Sequence, residues 1–179
     1  RSALPELVDA LHAVHATCGP FHAAVGHSLG GAALALALRG GLPLARVALV
    51  GAPASIGEYM HGFARRLGLT AAVREGLRRR IEQRYGRPFA DIDRLADLGR
   101  LRLPALLVHD AGDRHVPFAH GERIAAALPG ARLVRTHGFG HFRILRHPAV
   151  QALVAAFVAG EDEALPAELP LLPLPAPLY

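Results

Sequence analysis

Val25-Gly26-His27-Ser28-Leu29-Gly30-Gly31 is the stretch on which the reading of this chain turns. A short apolar run, residues 21–25, leads into it, and an Ala- and Leu-rich run, residues 32–38, leads out. The pattern is a strand, a tight turn and a helix, with one serine at the apex. G-x-S-x-G in that setting is a nucleophile elbow, and the reason is steric. The serine sits on a strained turn that lifts its hydroxyl clear of the backbone. Small residues two before and two after it, Gly26 and Gly30, are expected to let strand and helix approach closely. The helix aims its free N–H groups back at the turn. The N–H of Leu29 is thereby placed to stabilise an oxyanion.

Working outward, the 179 residues suit one domain. Hydrophobic residues make up 51% and charged residues 20%, which favours a packed core over a disordered chain. No apolar run nears the roughly 20 residues of a membrane span, so no membrane partner is expected. The formal charge is +5 and every basic side chain is arginine. The arginines are scattered apart from Arg65-Arg66 and Arg78-Arg79-Arg80, and no aromatic residues interleave them, which argues against nucleic-acid binding. Cys18 is the single cysteine, so no internal disulfide can form, and a buried thiol is expected.

Residues 4–16 carry Leu4, Leu7, Val8, Leu11 and Val14 at helical spacing. Strands are expected at 21–25, 46–50, 104–109 and 131–136, and helices at 118–128 and 148–159. The connection over 54–103 is far longer than a crossover requires. Helical patterns near 57–67, 70–85 and 91–98 make it either a small cap, about 54–100, or a plain cover for the sheet. Residues 161–179 are rich in Pro and Leu and read as a tail. The alternation gives an α/β fold, a parallel sheet with helices on both faces. In such sheets function gathers in loops at the carboxyl ends of the strands. Ser28, Asp113 and His141 all fall there.

A serine hydroxyl needs a base to take its proton, histidine suits that task near neutral pH, and a carboxylate on the far nitrogen orients the imidazole. His141 follows the last long strand between glycines that can bend it back over the elbow; His137 is the alternative. Asp113 is the expected carboxylate, with Asp110 as its rival and turn formation as Asp110's other use. His115 and His120 read as loop and helix-surface residues. No metal-ligand spacing stands out.

Gly26-His27-Ser28-Leu29-Gly30-Gly31, the run 109–117 (His109-Asp110-Ala111-Gly112-Asp113-Arg114-His115-Val116-Pro117) and Gly140-His141 together resemble the α/β-hydrolases over residues 2–160. The chain order Ser…Asp…His is that family's order. Asp110 departs from the glycine usual there. The resemblance implies a hydrolase domain over 1–160 that corresponds to the later half of the fold, the earlier strands being absent. It implies a serine hydrolase of carboxylic esters or related acyl substrates, without cofactor or metal. Ser28, Asp113 and His141 would be catalytic and the Leu29 N–H one oxyanion donor. Thioesterase, C–C hydrolase and cofactor-free perhydrolase chemistry would use the same triad. His27 would either line the pocket or pack under the elbow, and Tyr59, Met60 and Phe63 would form either a substrate pocket or cap core. An inactive binding module is the alternative function. An exposed edge on the elbow strand would invite self-association. With no signal peptide visible, a cytoplasmic location is expected.

Overall fold

A computed structural model describes residues 4–93, 95–162 and 165–170. Helix α1 (Leu4–Cys18) is followed by strand β1 (Ala23–His27), helix α2 (Leu29–Arg39) and strand β2 (Arg46–Val50). Three helices come next, α3 (Ile56–Arg66), α4 (Ala71–Tyr85) and α5 (Phe89–Ile92), then a 3₁₀ turn over Leu95–Arg100. Strand β3 (Ala105–Asp110), helix α6 (Ala119–Ala127) and strand β4 (Ala131–Thr136) lead to a short helix α7 (Gly140–Arg143) and a 3₁₀ turn, Ile144–Arg146. Helix α8 (Pro148–Ala159) and a two-residue strand β5 (Glu168–Leu169) complete it.

The five strands form one parallel sheet in the order β1-β2-β3-β4-β5. Side chains of a strand alternate between faces, and the two cores sort by that parity. Val47, Leu49, Ala105 and Leu107 pack with Leu34, Ala37 and Leu38 of α2 and Ile124 of α6. Ala48, Val50, Leu106 and Val108 pack with Val150, Leu153 and Phe157 of α8. Each fully buried Leu or Val contributes about 1.5–3 kcal/mol, so the unbroken apolar runs of β2 and β3 belong at the centre, covered on both faces. A third cluster joins Leu4, Ala32 and Ala33 to Ile56, Phe89 and Ile92, which seats the inserted helices on α1 and α2. Residues 54–100 therefore divide. Leu98 belongs to the core under the sheet. The far end of α3 reaches the loop after β3, where Arg66 donates to the carbonyls of Arg114 and His115.

Three expectations are revised. β1 starts two residues later than the apolar run, because pairing begins at Ala23 opposite Arg46. Cys18 is exposed at the end of α1, not buried. Part of the tail is built into the fold. Leu165 is buried, and Glu168–Leu169 pairs with Arg135–Thr136 of β4. Asp162 pairs with Arg46, whose guanidinium lies over the Phe157 ring, and Arg132 bonds the carbonyls of Asp162 and Leu165. The remainder of the tail, 171–179, lies outside the described residues.

Among the described residues no strand pairs with the outer edge of β1, where Val25 is 51% exposed. No single helix among them is long and apolar enough to cross a membrane.

Candidate active site

Ser28 sits between β1 and α2 with φ 52° and ψ −122°, and is the one non-glycine at positive φ among the described residues. Such backbone costs of order 1–3 kcal/mol and persists only where its surroundings over-determine it. Here they do. A Cβ on Gly26 would lie 2.7 Å from the Gly30 carbonyl oxygen, the Gly31 Cα and a Leu34 methyl; one on Gly31 would lie 2.6 Å from the Ala52 Cβ. Gly30, expected to share that role, has open space where its Cβ would be. The tight approach is thus made by Gly26 and Gly31. Within α2 the Ser28 carbonyl accepts from the N–H groups of Gly31 and Ala32. The Leu29 N–H lies ahead of that first acceptor, at the positive end of the helix.

His141 is carried on α7. Gly138 and Gly140, at φ 76° and 63°, turn the chain there as only glycine does readily. Its Nε2 is 2.8 Å from the Ser28 Oγ and its Nδ1 2.7 Å from Asp113 Oδ2. Asp113 is buried and its other oxygen accepts the N–H groups of His115 and Val116, at 2.7 and 2.9 Å. Burial alone would raise the Asp113 pKa. The hydrogen bonds from His141 and from the two backbone amides outweigh it and hold the carboxyl below its ordinary range. An ionised carboxylate can only accept, so His141 donates from Nδ1 and offers Nε2 as acceptor to the serine hydroxyl. Gly51 backs this pair: a Cβ there would lie 3.4 Å from His141 Nδ1.

Asp110, the rival acid, is engaged elsewhere. Its Oδ1 accepts the Gly112 N–H at 2.9 Å, the turn-forming use; its Oδ2 accepts the Thr136 hydroxyl and the Phe139 N–H, both at 2.9 Å. It therefore ties the acid loop to the loop that carries His141. His137 pairs with Glu168 on β5. His27 is half-buried and donates from Nε2 to the His141 carbonyl at 2.8 Å; burial chiefly lowers its pKa. The His115 ring stacks on His141 at 5.2 Å, and Phe142, 62% exposed, packs edge-on to both. Sequence reasoning left His115 and Phe142 out of the site, since nothing in their local pattern distinguishes them. Tyr59 and Phe63 stack on each other at 6.5 Å, and Met60 packs in the core of the inserted helices. None of the three has a hydrogen bond or ring contact with Ser28 or His141. His120, expected on a helix surface, is buried. Its Nδ1 accepts from the Ala54 N–H and from Arg123, and Arg123 forks onto Glu58. Among the described residues no three His, Cys, Asp or Glu side chains gather as a metal would require.

The arrangement can pass a proton from an alcohol to an imidazole held by a carboxylate. Comparisons with known proteins bear on the fold that carries these residues. An abhydrolase family model described as "TAP-like protein" matches residues 85–165, which include Asp113 and His141 but not Ser28. The chain is 46% identical over 59 residues to a pimeloyl-[acyl-carrier protein] methyl ester esterase of Aromatoleum aromaticum; the match covers 33% of this chain and 24% of that protein. The chain thus spans about a quarter of the length of that curated relative. Among solved structures, the esterase domain of a Rhodothermus marinus protein superposes with a TM-score of 0.62 at 20% identity, over 89% of this chain and 67% of that one. The hydrolase MGS-MChE2, from a lagoon-sediment metagenome, gives 0.65 at 17% identity, over 90% and 72%. The sheet order, the strained serine turn between strand and helix, and these likenesses lead to one conclusion: this chain has the α/β-hydrolase fold.

Proposed function

We propose that the chain is a serine hydrolase of carboxylic esters or related acyl compounds. The observation that carries the reading is the unbroken series from Asp113 through His141 to Ser28, at 2.7 and 2.8 Å. His141 Nε2 takes the Ser28 proton as Oγ bonds to the substrate's carbonyl carbon, and the Leu29 N–H faces the oxyanion that forms. The imidazolium, steadied by ionised Asp113, returns that proton to the departing alcohol, leaving an acyl-serine. Water, giving a proton to His141, then attacks the acyl carbon; the bond to Oγ breaks, the imidazolium returns the proton to Ser28, and the acid is released. The match to a methyl ester esterase supports the ester class. The substrate is a small acyl compound.

A fluorophosphonate probe tests this directly. The folded chain is expected to label at Ser28, to lose labelling in Ser28→Ala, and to fall by at least about 10³ in labelling rate in His141→Ala. Hydrolysis of nitrophenyl esters should fall in parallel. A folded chain that never labels would overturn the enzymatic reading in favour of a binding module.

A further inference from the structure

A groove of about 580 Å³ lies between α1, the C-terminal end of α2 and residues 85–101, and Ser28 is not among the residues that line it. That volume is in the range that receives small-molecule ligands, roughly 300–1,000 Å³. Its floor is apolar: Leu4 and Val8 of α1, Leu36 of α2, Ile92 of α5 and Leu101. Its rim is charged. Arg39 is committed, donating to the Ile92 carbonyl at 2.6 Å and to Asp97 at 2.8 Å. Its Nε is out of solvent and has no acceptor among the described residues. Arg87 and Arg100 also line the groove and are exposed, and among the described residues neither side chain has an ion-pair partner. Asp97 is bonded to Arg39, which leaves the exposed Asp9 as the other carboxylate among the described residues that line the groove.

We propose that this groove is a second binding site, separate from the Ser28 site, for an anionic amphiphile: a carboxylate head on an aliphatic chain. The tail lies along the Leu4–Val8–Leu36 floor, and the head meets Arg87 and Arg100. Arginine presents paired donors that match a carboxylate, and the apolar floor repays burial of the chain. A neutral alcohol of the same length gains only the second of these terms.

Calorimetric titration of the full chain with decanoate, and with decanol as the neutral control, decides the matter. Decanoate is expected to bind saturably and more tightly than decanol. The affinity should drop at least about tenfold in R87E/R100E, which removes both charge-assisted contacts, and should also drop in Val8→Phe, which narrows the floor without altering charge. Binding should persist in Ser28→Ala and after fluorophosphonate blocking, and the labelling rate at Ser28 should be unchanged in R87E/R100E. Decanoate binding that disappears on blocking Ser28, that is unaltered by the charge reversal, or that equals decanol binding would overturn the proposal.

Discussion

At the scale of single residues, the elbow separates two glycines that look alike in the sequence. Gly26 and Gly30 flank Ser28 symmetrically in G-x-S-x-G, yet only Gly26 faces backbone and a side chain at 2.7 Å. Contacts that short cannot be relieved without parting β1 from α2, whereas Gly30 opens on free space at an ordinary φ. Gly26→Ala is therefore expected to destabilise the fold by about 2 kcal/mol or more and to abolish Ser28 labelling. Gly30→Ala should leave the urea midpoint unchanged or slightly raised, because alanine is the better helix former. Equal losses in the two variants would show that the motif, not the steric gap, sets the requirement. Asp110 teaches the same lesson for the acid loop. In sequence it is a turn former beside Asp113, and its bond to Gly112 bears that out. Its second oxygen holds Thr136 and Phe139, and those partners lie 26 and 29 residues away, beyond any local pattern.

At the scale of elements, the long strands and helices were legible because their signals are local: continuous apolar runs for β2 and β3, helical spacing for α1, and proline and glycine at the ends of α8. What the pattern missed was held by distant partners. β5 is two residues long, and its place beside β4 follows from the buried Leu165 and the Asp162–Arg46 pair, not from its own composition. The start of α3 is another case. Ser55 caps it visibly, accepting the Glu58 N–H at 3.0 Å. Asp93, from the far end of the insertion, accepts the N–H groups of Ile56 and Gly57 at 2.6 and 3.0 Å and the Ser55 hydroxyl at 2.6 Å. Three otherwise orphaned donors thus depend on one carboxylate. Asp93→Ala is expected to cost about 1–2 kcal/mol. Amide hydrogen exchange should quicken in α3 and α5 while β2 and β3 stay protected. Exchange that quickens through the whole sheet would mean that the insertion and the sheet unfold as one unit.

At the scale of the whole molecule, the histidines bind distant segments together in their neutral form. His109 donates from Nε2 across the loop after β3 to the Val116 carbonyl at 2.8 Å, since a carbonyl only accepts. His120 accepts at Nδ1 from Ala54, joining α6 to the end of β2, and His27 donates to the His141 backbone. Burial is the chief reason that the pKa of each lies below the ordinary 6.5. The sign of the linkage follows. Below pH 6.5 the unfolded chain takes up protons at these positions while the folded chain does not, so stability falls as pH drops from 6.5 through the lowered values. Asp113, held below its ordinary 3.8, adds a second loss that begins only as pH falls past 3.8. The urea midpoint should therefore be level above about pH 7.5, decline from about 6.5 downward, and steepen again near 3.8. His120→Gln keeps an acceptor for Ala54 but does not titrate, so its midpoint should decline less over the first window while the second is unaltered. A wild-type midpoint that stays level from pH 7.5 to 5 would mean that these rings are solvated in solution, and the three ties they make would have to be abandoned.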